Sequence, residues 1–175
     1  MKNQRSPEKS MGWLMVIIPV ALIIGLIVWS ATRPRPGEEV LNQGNHHLAS
    51  LTEAHKPYSS KPPTSGPHRG DKTPWGISDS QIPDELQLHN LEDGGVIVHY
   101  DPAKVATSTI KQLAEVVQPI YLKGRRVILE PYADLDTPIV VTAWTRIEKL
   151  SVFDEAKIKQ FINAYEGVDH HVPGS

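Results

Sequence analysis

Histidine is the residue type in this chain with the clearest potential for chemistry. The sequence holds eight histidines and no cysteine. Imidazole is the commonest nitrogen ligand for zinc and copper in proteins. Because thiolates are absent, a transition-metal site must be built from imidazole and carboxylate groups, a donor set that suits Zn(II), Cu(II), Ni(II) or Fe(II). We therefore predict a zinc or copper(II) cofactor, bound through histidine and carboxylate.

The sharpest local pattern is HNLEDGG at residues 89–95. On a helical turn, His89 and Asp93 are four positions apart and face the same side, so both could bind one metal ion. Gly94 and Gly95 would then allow a sharp turn into the next strand. The alternative interpretation is a capped turn that carries solvated acidic residues.

The second pattern is KPPTSGPH at residues 61–68. Its prolines and Gly66 would hold the loop in one shape and present Ser65 and His68 at fixed positions. The alternative is a rigid surface loop in which His68 pairs with the backbone. A nucleophile–base pair of Ser65 and His68 is a weaker hypothesis, because loop neighbours rarely have the geometry of a catalytic triad.

The remaining histidines are less specific. His46 and His47 could be ligands or an exposed polar pair, and His99 lies in the middle of a predicted strand, where a half-buried, hydrogen-bonded histidine is the alternative. The terminal pair, His170 and His171, is expected to be solvated and to have no role. The predicted metal ligands are therefore His68, His89 and Asp93, helped by His46, His47 and His99.

Apolar patterns predict the elements that position these residues. Apolar runs at 96–100, 127–129 and 139–144 predict strands. Helical spacing predicts one helix that begins near Thr107 and is limited by Pro119, and a second that begins near Asp154 and is stopped by Gly167. The order strand-helix-strand-strand-helix indicates an α+β domain with helices on a mostly antiparallel sheet. A thioredoxin-like fold without its cysteines and a ferredoxin-like sandwich missing one strand are both open.

The N-terminal segment predicts a membrane anchor. Residues 11–29 carry no charge, and a helix of that length spans about 30 Å, the thickness of a bilayer core. The predicted organisation is a cytoplasmic tail (1–10), a transmembrane helix in the lipid bilayer (11–30), a linker (31–43), an extracytoplasmic domain (44–168) and a disordered tail (169–175). This places the chain in the cell membrane as a single-pass protein. A cleaved signal peptide is the alternative.

The segments PPTSGPH at 62–68 and HNLEDGGVIVHY at 89–100, with the weaker TAW at 142–144, resemble one family. On these strings the chain is identified as a member of the family called domain of unknown function 3105, over about residues 44–167. The resemblance implies an N-terminal membrane segment before the domain, and it supplies no activity. The family pattern usually has histidine where this chain has Asp93, which would give a histidine pair spaced by four.

Three functions remain open at this point. The first is a membrane-tethered metal-binding domain, and the second is a non-catalytic module that binds an envelope protein partner through its proline-rich loop. The third is a hydrolase that uses histidine, carboxylate and a metal-bound water. The formal net charge of −2 shows no basic footprint for nucleic acid.

Overall fold

The structure is a computed structural model that describes residues 8–31 and 34–171. The chain forms two compact units, Met1–Arg35 and Pro36–Ser175. The first unit contains helix α1 (Glu8–Ala31), which has Pro19 inside it. Parts of the two predicted tails, residues 1–7 and 172–175, lie outside the described residues.

The prediction of a transmembrane helix at residues 11–30 is wrong. Within residues 8–31 and 34–171, the structure has no helix that combines the length and the apolar character needed to cross a membrane. Such a helix needs about 20 consecutive, mainly apolar residues. The prediction rested on the uncharged run at residues 11–29 and on the roughly 30 Å that a helix of that length spans. The predicted single-pass placement in the cell membrane depended on this helix and is therefore wrong as well.

The second unit is an α+β domain, as the sequence predicts. Its strands and helices follow in this order: β1 (Glu38–Glu39), β2 (His47–Leu48), β3 (His68–Arg69), β4 (Gly76–Ile77), α2 (Asp84–Glu92), β5 (Val96–Tyr100), α3 (Thr107–Tyr121), β6 (Val127–Pro131), β7 (Ile139–Ala143), β8 (Arg146–Leu150) and α4 (Glu155–Tyr165). Six strands form one sheet in the order β1-β8-β7-β5-β6-β4, and β2 and β3 form a separate ribbon.

Strand β5 lies between β6 and β7, parallel to the first and antiparallel to the second. Strands β6 and β7 follow each other in the chain but are therefore not neighbours in the sheet. Strand β8 pairs antiparallel with β7 and is missing from the predicted elements. Its sequence, RIEKL, has three charged residues, so it lacks the apolar run on which the strand predictions relied.

The central sheet is buried on both faces. Val96 and Val98 pack against helices α3 and α4, whereas Ile97 faces the opposite side, where α2 packs. The first cluster also contains Leu113, Val117, Val141, Ile158, Phe161 and Ile162. Ile110 is only half-buried, and Val140 belongs to a third cluster on the other face. Burial on both faces explains why β5 and β7 are continuous apolar runs rather than alternating ones.

Candidate metal centre

Two histidines reach the candidate site through the short ribbon of β2 and β3. The strands are parallel, with His47 opposite His68, and the His68 backbone N–H donates to the His46 carbonyl at 2.9 Å. Side chains at paired positions of neighbouring strands project to the same face. The ring centroids of His47 and His68 are consequently 5.0 Å apart.

Helix α2 supplies the other side of the site. His89 and Glu92 are three positions apart in this helix, so both side chains face the ribbon. The His89 ring lies 5.4 Å from the rings of both His47 and His68, measured between centroids. Gly94 follows with φ of 81°, a left-handed conformation that lets the chain leave the helix. The site thus joins one helix to one ribbon.

The carboxylate of Glu92 is the centre of the cluster. Its Oε2 lies 3.0 Å from His68 Nε2, 3.6 Å from His47 Nε2, 3.7 Å from His89 Nδ1 and 3.5 Å from His171 Nε2. The Glu92 side chain has no exposed surface. Four imidazole nitrogens from four separate segments therefore converge on one buried oxygen.

These separations fit a metal shell better than a hydrogen-bond network. Contacts of 3.6–3.7 Å from Glu92 to His47 and His89 exceed ordinary hydrogen-bond lengths. Two ligands in a tetrahedral zinc site, each about 2.1 Å from the metal, are roughly 3.4 Å apart. The ligand atoms of His47, His68, His89 and Glu92 all lie within 4.8 Å of one another. In addition, His89 Nδ1 is buried and has no hydrogen-bond partner.

The tautomer of His68 also suits a ligand. His68 Nδ1 lies 2.8 Å from the Gly66 carbonyl oxygen, which can only accept a hydrogen bond. In the neutral ring the proton is therefore on Nδ1, and the lone pair of Nε2 points at Glu92. Metal-binding histidines in proteins commonly donate their other ring N–H to a backbone carbonyl or a carboxylate in this way.

The charges at the site favour a cation. Burial lowers the pKa of His68 and of His89, so both rings are neutral near pH 7. Burial opposes ionisation of Glu92, but the Asn45 amide, which donates to Oε1 at 2.7 Å, and the nearby histidines outweigh it and lower its pKa. The buried carboxylate therefore faces the neutral rings of His68 and His89, and the lone pair of His68 Nε2 repels it at 3.0 Å. A bound cation would remove that repulsion.

The site opens to solvent on one side. A cleft of about 680 Å³ is lined by Gln43, Gly44, Asn45, His46, His47, Glu92 and His171. Ions and small molecules can reach the cluster from this cleft.

The structure brings together four of the six predicted ligands. His47, His68 and His89 meet around Glu92, and Asp93 lies at the edge, with Oδ1 4.0 Å from His89 Nε2. His46 is exposed beside the cleft and is not part of the group.

His99 lies away from the cluster, in a buried network of its own. Its Nδ1 lies 2.8 Å from Glu130 Oε1, and its Nε2 lies 2.8 Å from Thr142 Oγ1. Carboxylate, imidazole and hydroxyl follow one another as in a catalytic triad, but none of the three side chains has any exposed surface. No substrate could reach them, so the network is structural.

The structure also excludes the Ser65–His68 pair. The hydroxyl of Ser65 contacts the backbone of Leu41 and Gln43, while the two nitrogens of His68 face the Gly66 carbonyl and Glu92. Ser65 therefore shapes the loop, and His68 faces away from it.

Sequence reasoning missed Glu92 and His171. Glu92 was detectable, because it is three positions after His89 and so shares its helix face; the spacing of four favoured Asp93 instead. His171 had no such signal. Its position depends on the tertiary contact in which the His170 N–H donates to the Glu92 carbonyl at 2.9 Å.

The buried network predicts a stability effect. Thr142→Val should lower the free energy of unfolding by about 1–3 kcal/mol, because it leaves the buried His99 Nε2 without a partner. Urea unfolding of the full chain measures this. Thr137→Val, which removes a half-buried hydroxyl that donates to a backbone carbonyl, is the matched control. A Thr142→Val cost no larger than that of the control would contradict the prediction.

A family model described as "Protein of unknown function (DUF3105)" matches residues 51–174. The chain belongs to this family. The match begins after His47 and extends over His171. Comparison with curated proteins and with solved structures gave no match, so the thioredoxin-like fold stays a prediction.

Proposed function

We propose that this member of the family binds a divalent transition-metal ion, zinc in the first place, through His47 Nε2, His68 Nε2, His89 Nδ1 and Glu92 Oε2. The observation that carries the proposal is the convergence of these atoms within 4.8 Å of one another. Three imidazoles and one carboxylate suit Zn(II), and Cu(II) is the closest competitor.

Binding, rather than catalysis, is the function that the donor set supports best. Four protein ligands complete a tetrahedral shell, which is typical of structural zinc sites, whereas catalytic sites keep one position for water. The ion would then join helix α2 to the β2–β3 ribbon. Since the ribbon is only two residues per strand, such a cross-link would add stability to this part of the domain.

The test is a titration of the metal-free full chain with zinc, together with elemental analysis of the purified protein. His47→Ala should weaken zinc binding strongly, because it removes one of the four ligands. His46→Ala is the matched control, since it removes the adjacent, exposed imidazole. Equal affinities of the two variants would contradict the proposed ligand set. Failure of the wild-type chain to bind zinc or copper(II) at micromolar concentrations would overturn the proposal itself.

Zinc affinity should fall as the pH is lowered. Metal binding needs neutral imidazoles, and burial lowers the pKa of His68 and His89 below the ordinary value of about 6.5. Protons should therefore compete only below about pH 6.5. The stability of the metal-free domain should also fall as the pH is lowered through this range. His68 and His89 have a higher pKa in the unfolded chain than in the folded domain, so protons bind to the unfolded chain first. Zinc titrations between pH 5 and 8 measure the effect, and an affinity that stays constant below pH 6 would contradict it.

A second candidate function is metal-assisted hydrolysis. The cleft beside His47 and Glu92 favours it, because water and a substrate could reach the ion from that side. The test is hydrolysis of an activated ester by the zinc-loaded chain, with the His47→Ala variant as the control. Turnover that requires zinc and His47 would support the hydrolase over a purely structural role; its absence would leave metal binding as the function.

A further inference from the structure

We propose that the domain holds a second cation position beside the first, formed by His89 Nε2, Asp93 Oδ1 and His171 Nε2, with the ring of His89 bridging the two ions. This inference rests on the proposed function, because His89 is shared. The three side chains form a separate group whose ligand atoms lie within 4.8 Å of one another.

The two ring nitrogens of His89 face two different carboxylates. Nδ1 lies 3.7 Å from Glu92 Oε2, and Nε2 lies 4.0 Å from Asp93 Oδ1. Neither distance is that of a hydrogen bond, so neither nitrogen is committed to these acids. An imidazole that binds two cations must lose its remaining ring proton, which passes to solvent when the second ion binds.

Asp93 has one oxygen available for a cation. Its Oδ2 accepts from Lys72 Nζ at 2.6 Å, which holds the carboxylate in place. Its Oδ1 faces His89 Nε2 and, at 3.8 Å, His171 Nε2. The lysine thus orients the carboxylate, and the free oxygen points between the two imidazoles.

The C-terminal segment brings His171 to this position. The Gly167 N–H donates to the Gly94 carbonyl at 2.8 Å, and the His170 N–H donates to the Glu92 carbonyl at 2.9 Å. His171 Nδ1 lies 2.7 Å from Asp169 Oδ1, so Nε2 is the nitrogen left to face Asp93. A metal-binding histidine often donates its other ring N–H to a carboxylate, which fixes the orientation of the ring.

The second position should bind more weakly than the first. Its separations of 3.8–4.0 Å are wider than the roughly 3.4 Å expected between ligands of a tetrahedral zinc ion. It also has three protein ligands rather than four, and the His171 side chain is 39% exposed. We therefore expect the first position to fill before the second.

The experiment is a zinc titration of the metal-free full chain, followed by native mass spectrometry. Wild type should bind two ions, the second at least ten-fold more weakly. Asp93→Asn and His171→Ala should each lose the second ion and keep the first. Asp71→Asn, which changes an exposed aspartate paired with Arg69, is the matched control and should still bind two.

Copper(II) gives an independent measurement of the bridge. Two copper ions joined by one imidazolate couple their unpaired spins, so the second equivalent of copper should reduce the electron paramagnetic resonance signal rather than double it. A single ion in wild type, or a second ion that survives both Asp93→Asn and His171→Ala, would overturn the second position and leave the first intact. Loss of the first ion in His171→Ala would also overturn it, because His171 would then be a ligand of the first site. A chain that binds no ion at all overturns both proposals.

Discussion

Glu92→Gln should lower the zinc affinity of the chain by roughly 100-fold or more, since the loss of even an outer-shell partner typically costs 10–100-fold. Glu92 supplies the only carboxylate oxygen at the centre of four imidazole nitrogens in the described structure. A neutral amide keeps the shape of the side chain but removes the charge that attracts the ion. Calorimetric titration with zinc measures the change.

Glu85→Gln is the matched control for this variant. Glu85 lies in the same helix, α2, and its carboxylate contacts His55 at 3.3 Å, outside the metal group. The zinc affinity of the Glu85→Gln variant should equal that of wild type. Wild-type affinity in Glu92→Gln would refute the central role of the carboxylate.

Phe161→Ala should lower the free energy of unfolding by about 3–5 kcal/mol. The Phe161 side chain is completely buried in the cluster between α3, α4 and the sheet. Its removal loses the transfer free energy of the ring and leaves a cavity that the surrounding sheet cannot close. Urea unfolding, followed by circular dichroism, measures the loss.

Ile110→Ala is a useful comparison for the core. Ile110 occupies an apolar position of α3, but it is only half-buried. Its truncation should cost clearly less than that of Phe161, because less apolar area is removed from a closed environment. A Phe161→Ala cost below about 1 kcal/mol would show that α4 is peripheral to the core.

The sequence by itself determined the α+β class and most of the core. Helical spacing in α3 and α4 and the apolar runs of β5, β6 and β7 are local properties, because each follows from the period of a single element. The two-residue strands β1–β4 are too short to show a period in the sequence, and they are defined only by their pairing partners. Strand β8 is likewise recognisable only by its pairing with β7.

The candidate site, too, was predicted in part from the sequence and completed only by the tertiary structure. The sequence identified His68, His89 and Asp93 as chemically unusual, and the structure places His68 and His89 around Glu92 and Asp93 at the edge, beside His89. The pairing of the ribbon and its packing on α2 decided that His47 belongs to the site and that His46 does not.

The tertiary structure also decided where His99 and His171 lie. His99 sits on a central strand, so its side chain enters the interior and pairs with Glu130 and Thr142. His171 reaches the cluster because backbone hydrogen bonds hold the C-terminal segment against the end of α2. Residue type and helical spacing can be read along the chain. The residues that converge on Glu92 lie up to 124 positions apart in the sequence, as His47 and His171 do. No local pattern encodes such convergence.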